Sequence, residues 1–247
     1  MRVVVLERAL CPSGTSGRAD NGIKLHAHIR EPMHQQYPGI YRDQTGTETI
    51  VVENDGHVIQ TTIRGVTFTA TMLDDMTPKT GYRTEQLTSF SFHGSSLTDY
   101  TLEFTMPIPI RIRQQPGEGL LAITLSMTSV ADGLREELHL CLAIGNATYR
   151  TAVPSSLFEE AFLELRRHIP SDIVLETCFF CGLSDYSPYG NGLFGCLACF
   201  REHKAAYAAV QTKADLVRIL ALMTGLVQET DHCASFALRT PQTGYRG

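Results

Sequence analysis

A chain of 247 residues with seven cysteines is long enough to bury a core without covalent staples, so rescuing a domain too small to fold is excluded as the reason for the thiols. An apolar fraction of 43% with 19% charged residues excludes a disordered chain, and a net charge of -5 with no dense Lys/Arg run excludes the electrostatic footprint of a nucleic-acid binder. No run approaches the roughly 18 to 20 apolar residues of a membrane span, and Glu7 and Arg8 interrupt the short apolar start before a secretory core forms, so the chain reads as cytoplasmic and not membrane-bound.

Residues 1–40 are rich in Gly, Pro, Ser and His, show neither helical nor strand period, and read as an arm. His26, His28 and His34 have a ligand-like spacing there but read as solvated loop side chains. Residues 41–153 form an antiparallel β region. Val66, Phe68, Ala70 and Met72 alternate with threonines, and the period of two returns at Tyr100 to Met106, Leu121 to Met127 and Leu138 to Ile144. Asp55-Gly56, Gly145-Asn146 and the stretch Gln114 to Gly117 supply turns between neighbouring strands, which predicts a meander folded into a sandwich or a curved sheet. His93, His139 and Cys141 fall on strands and read as structural.

Residues 154–247 are expected to be helical and metal-binding, packed with the β region as one unit. Ser156 and Glu159 suggest a capping box for a helix from Leu157 to His168, stopped by Pro170, and Ile173 to Leu175 form a short strand. Further helices are expected over Phe200 to Val210 and, capped by Thr212 and Asp215, as far as Val227, with a buried stripe of Leu216, Ile219, Leu220, Met223 and Leu226.

Between these elements, four of the seven cysteines fall in 22 residues, as Cys178-Phe179-Phe180-Cys181 and Cys196-Leu197-Ala198-Cys199. The loop between them matches GxGxxG at Gly190 to Gly195, but turn chemistry precedes it where a dinucleotide fingerprint needs a buried strand, so phosphate cradling is rejected. Two CxxC pairs in a reducing compartment point to a metal site. The first pair is followed by Gly182, as in a zinc knuckle, and the second runs towards an expected helix whose N-terminus would favour thiolates; knuckle then helix is a treble-clef pattern. Cys178, Cys181, Cys196 and Cys199 are therefore the candidate Zn²⁺ ligands. Rubredoxin-like iron is disfavoured because only one pair carries the following glycine.

At these residues the chain resembles an uncharacterised bacterial family, a domain of unknown function, in its CxxC, SDYSPYG, LFG and ACFR elements: Cys178 to Cys181, Ser184 to Gly190, Leu193 to Gly195 and Ala198 to Arg201. The likeness extends to the tail from Thr243 to Gly247 and brings no activity with it. In those relatives the position of Cys196 is often glycine, which makes Cys233 the alternative fourth ligand. Asp185, Tyr186, Tyr189, Arg201 and His203 are the groups a catalytic reading would recruit, and packing around the metal is their blander role.

The expectation is thus an α+β protein: an antiparallel β-sandwich or curved meander sheet, then a helical segment with a treble-clef-like Cys₄ zinc module. The expected role is a zinc-stabilised, noncatalytic interaction or scaffold protein with a protein partner or self-association. A metal-dependent enzyme is the alternative.

Overall fold

The computed structural model describes residues 35–186, 193–195 and 197–245. In chain order the strands of the first half are β1 (Gln35–Asp43), β2 (Gly46–Asn54), β3 (Ile59–Ile63), β4 (Val66–Ala70) and β5 (Thr77–Pro78). After a one-turn helix α1 (Thr84–Leu87) come the hairpin β6 (Ser91–His93) and β7 (Ser96–Thr98), then β8 (Tyr100–Ile112), β9 (Gln115–Val130), β10 (Gly133–Ile144) and β11 (Ala147–Arg150). The remainder comprises α2 (Phe158–His168), β12 (Ile173–Leu175), β13 (Ser184–Tyr186), β14 (Leu197–Cys199), α3 (Lys204–Ala208), α4 (Lys213–Ile219) and β15 (Gly225–Val227). Among the described residues no helix is long and apolar enough to cross a membrane.

One antiparallel sheet runs β11-β10-β9-β8-β1-β2-β3-β4-β5, with β12 added to the far end of β8. Alternation builds it as the period of two requires: Leu102, Ile108, Leu121, Ile123, Leu125, Leu138 and Leu142 are all solvent-inaccessible, and their neighbours face outward. Residues from both ends of the sheet, Ile63 and Phe68 at one and Leu138 and Leu140 at the other, join α2 in one hydrophobic cluster. Strands β1 to β5 and β8 to β12 thus form one continuous sheet, as a meander predicts, while β13-β14-β15 and β6-β7 form two small sheets of their own.

Several local expectations shift. Residues 35–40 belong to β1, an interior strand between β2 and β8, so the expected arm ends before Gln35; residues 1–34, with His26, His28 and His34, lie outside the described residues. The β8–β9 turn sits at Arg113 and Gln114, both at positive φ (48° and 72°), with Pro116 already paired to Arg111. Helix α2 is headed by Ser155 and not Ser156: its Oγ accepts the Leu157 N–H at 3.1 Å and donates to Glu160 at 2.9 Å. The Thr212–Asp215 capping box of α4 forms as expected, but that helix ends at Ile219 and the chain reaches Val227 as strand β15. Of the expected stripe only Leu216 is buried, while Met223 is 38% exposed.

The ladder between β1 and β8 stops at Gly39 opposite Phe104. Its arrest has a cause in the sequence. Alternate residues of a strand direct their N–H and C=O to the same edge, and the Glu176 N–H bonds the Pro109 carbonyl at 2.9 Å, so odd-numbered residues of this part of β8 face the β12 and β1 side. Continuing the register would set Pro38 opposite Thr105 and Gln36 opposite Pro107, and each pair would lack one donor. The two strands therefore part, leaving an opening before β12 takes up the same edge of β8 at Ile110.

Candidate functional site

The first CxxC pair follows β12 directly. Cys178–Phe180 makes a single 3-10 turn closed by the Cys181 N–H on the Cys178 carbonyl at 3.2 Å. The rings between the cysteines hold that turn in place. Phe179 stacks on Phe162 of α2 with centroids 5.3 Å apart, and Phe180 meets Phe179 edge-on at 4.8 Å. Both thiols are consequently buried.

Backbone bonds bring two distant segments to this turn. The Cys178 N–H donates to the Asp231 carbonyl at 2.5 Å and the Phe179 N–H to the Glu229 carbonyl at 2.9 Å, which lays residues 229–233, and so Cys233, alongside. Strand β14 pairs with β13 so that Cys199 lies opposite Ser184, whose hydroxyl in turn donates to the carbonyls of Cys178 at 2.5 Å and Cys181 at 3.2 Å. The expected return of the chain towards the first pair is thus realised at both ends of the intervening loop.

Four thiols result in one neighbourhood. Cys178 lies within electrostatic reach of Cys181, Cys233 and Cys199, and Cys199 within reach of Cys233 and Cys181. Burial, with Asp231 and the other thiols adding to it, pushes the Cys178 thiol far above the ordinary cysteine range. Burial also raises Cys199, against which the Arg201 N–H directed at its sulfur and the Arg201 guanidinium act. Among the described residues, no three His, Cys, Asp or Glu side chains are grouped tightly enough to hold a metal ion. Cys196 lies outside the described residues.

Two features of the expected module take a different form. Cys199 ends a strand, not a helix; α3 begins only at Lys204, so a backbone N–H from Arg201 replaces the expected helix terminus beside the sulfur. Gly182 is required by close packing and not by a special backbone angle. A Cβ there would stand 3.1 Å from the Thr243 side chain and 3.4 Å from the Ala237 carbonyl, to which the Gly182 N–H donates at 2.6 Å.

The cluster opens onto a groove of about 940 Å³ at the place where β1 and β8 part. Tyr37, Asn54 and Met106 to Pro109 line its sheet side. Cys178, Cys199, Arg201, residues 224–227 and Asp231 to Cys233 line the other.

Of the groups a catalytic reading recruits, Arg201 lines this groove, and His203 is exposed at the head of α3. Asp185 is fully buried and accepts the Tyr207 hydroxyl at 2.9 Å; that hydroxyl also meets the Arg239 guanidinium at 3.0 Å, so Asp185 ties the chain's tail to α3. Gly244 completes the clamp: at φ +67° a Cβ would reach 2.8 Å from the Asp185 carboxylate. Tyr189 lies outside the described residues. His139 faces outward on β10 with Thr151 at 3.5 Å, and Cys141 lies on the same strand.

Sequence reasoning missed Glu229, which has no exposed surface. Its carboxylate accepts the Gly195 N–H at 2.6 Å, with the Tyr186 side chain nearby. Burial raises its pKa to about 7 despite that donor, with the Asp231 charge adding to the rise. Equally unannounced is the buried amide pair of Asn54 and Gln228, bonded in both directions at 2.7 and 2.9 Å. A lone Glu or Asn carries no sequence signal of burial when its partner is remote in the chain.

An antiparallel sheet protein with a cysteine-bearing lobe beside the parting of β1 and β8 is the class that fold and site define. Residues 35–184 match the Family of unknown function (DUF6304), and the chain belongs to that family. The match covers Cys178 and Cys181 and stops before Cys199 and Cys233. No curated protein and no solved structure matches the chain.

Proposed function

We propose that this protein is a zinc-stabilised, noncatalytic binding module in which Cys178, Cys181, Cys199 and Cys233 hold one Zn²⁺ and so fix one wall of the groove. The observation that carries this reading is that Cys178, Cys199 and Cys233, from three separate stretches of chain, line one groove with Cys181 a single turn from Cys178, an arrangement that has to tighten before it holds an ion. An all-sulfur donor set suits Zn²⁺, and the bound ion would supply the positive charge that lets buried thiols give up their protons. Four thiolates around Zn²⁺ leave two net negative charges. The Arg201 N–H and guanidinium are the groups at hand to compensate them. A reducing, cytoplasmic setting fits five free cysteines among the described residues. The treble-clef likeness is kept only for the first knuckle. The occupant of the groove is a protein partner or a second copy.

Elemental analysis of protein purified without added metal is expected to give about one Zn²⁺ per chain. Cys178→Ser and Cys181→Ser are expected to lose it together with ordered structure after β12. Cys233→Ser should lower the metal content and Cys196→Gly leave it unchanged; the reverse result would return the fourth position to Cys196. A metal-free wild-type preparation removes the zinc reading altogether.

One observation favours the metal-dependent enzyme as a second reading: Cys178, Cys199 and Cys233 line the groove and Cys233 is only half-buried. A ligand position yielding to substrate there would open directly to it. Turnover abolished by Cys233→Ser with the fold intact would favour this reading.

A further inference from the structure

Resting on the binding-module reading above, we infer that the groove takes an extended, basic segment of a protein partner, which adds as a strand to the free edge of β15. The groove runs along strand edges and not across a sheet face. On a face only alternate residues would line it, but residues in unbroken succession do so on each wall, Met106 to Pro109 on one and Thr224 to Val227 on the other.

Strand β15 is the outer strand of its small sheet. The Phe200 N–H bonds the Leu183 carbonyl at 2.7 Å, so Phe200 and Ala198 direct their backbone groups to the β13 side, and Leu197 and Cys199 direct theirs to β15. Gly225 and Val227, opposite Cys199 and Leu197, answer those groups, which leaves the Leu226 N–H and C=O directed away from β14 on the edge the groove follows. The sequence of β15 is Gly-Leu-Val, without the charge or proline that guards an exposed edge. Across the groove, the ladder of β8 with β1 stops at Phe104 and the Glu176 N–H takes the Pro109 carbonyl; between them the Pro107 carbonyl has no strand partner on that side among the described residues. An incoming strand can therefore exchange two hydrogen bonds with Leu226 and donate one to Pro107. With a wall on either side, a folded strand edge of a second copy has no approach, whereas a single extended chain has one.

Charge selects the segment. Asp55, Glu118, Glu202 and Asp231 line the groove against a single arginine, Arg201. Glu118 belongs to β9 of the large sheet and Glu202 follows β14, and both are exposed, so they flank whatever lies between the walls. Exposed Pro107 and half-buried Leu226 supply apolar surface beside them. Successive side chains of an extended chain point in opposite directions, so a segment that alternates basic and apolar residues satisfies both. An acidic segment of the same shape is repelled.

The test titrates the reduced full-length protein with the peptide acetyl-Lys-Val-Lys-Val-Lys-Val-amide and with its counterpart carrying Glu for Lys, and follows the exchange of the Leu226 amide by NMR. The expected result is saturable binding of the lysine peptide alone, weakened by salt, with slower exchange at Leu226. Glu118→Lys combined with Glu202→Lys, both at exposed positions, should weaken that binding by about tenfold. No binding, equal binding of the two peptides, or binding that leaves exchange at Leu226 unchanged overturns the inference. Binding gained only on removal of residues 1–34 would overturn it in favour of the chain's own first segment, and a dimer that the peptide dissociates would do so in favour of a second copy. Zinc content measured on the same preparation separates this inference from the metal reading. Metal-free protein that binds the lysine peptide refutes the zinc centre and keeps the groove assignment, and zinc-loaded protein that does not bind it refutes the groove assignment alone.

Discussion

At the scale of single residues, Glu229 shows how a group without chemistry of its own sets a pH response. Its carboxylate clamps the Gly195 N–H, at a position where Gly195 itself is held at φ +100° against the Thr71 carbonyl. Burial raises its pKa to about 7, above the roughly 4.3 of a free glutamate. A raised acid favours the folded state when protonated, so its contribution is fully present below the free value and is lost as pH rises through about 7. Glutamine keeps an accepting oxygen for Gly195 and cannot ionise. Glu229→Gln is therefore expected to match wild type in thermal melts at pH 4 and to exceed it at pH 8 by about 1–3 kcal/mol. The proposed thiolate-metal binding would also vary with pH, but it would do so in both proteins and cancel in the difference. Equal gaps at both pH values would show that Glu229 does not titrate in this window.

At the scale of elements, the long strands were legible because their pattern is local: a buried leucine at every second position needs no knowledge of the partner strand. The spacing of Cys178 and Cys181 is local in the same way, whereas the approach of Cys233 to them depends on the Cys178–Asp231 bond made across more than fifty residues. Strand β14 was misread as the lead-in to a helix, since three residues between two partner strands take their conformation from the ladder and not from propensity. The groove itself is written in prolines. Pro38 and Pro107 each withhold a donor where β1 and β8 separate, which predicts that Pro38→Ala with Pro107→Ala will extend the ladder beyond Gly39. Hydrogen exchange should then find slow amides at positions 38 and 107 and a slower Thr105. Amides at all three that exchange as fast as those of exposed loops would place the cause of the parting elsewhere.

For the whole molecule, the question is whether the cysteine-bearing lobe is an accessory or part of one cooperative unit. Cys178, Phe179, Tyr186, Leu193, Phe194 and Leu197 belong to the same hydrophobic cluster as the sheet, and Phe194 lies 5.3 Å from Phe158 of α2. A smaller cluster of Ala198, Phe200, Tyr207, Val210 and Leu216 lies on the other side of β14, so that strand carries both cores. The Asn54–Gln228 amide pair adds a polar lock between the end of β2 and the segment that carries Cys233. Truncating one member leaves the other buried without its partner, a cost of about 1–3 kcal/mol. If lobe and sheet fold together, Asn54→Ala will move the entire urea transition to lower denaturant with its slope unchanged, seen identically by far-ultraviolet circular dichroism and by tyrosine emission, the chain having no tryptophan. A lobe folding on its own would give two transitions, with loss of the pair moving only the lobe's. The shared core argues for one, and a single shifted transition would mean that loss of the amide pair is felt as far away as β10.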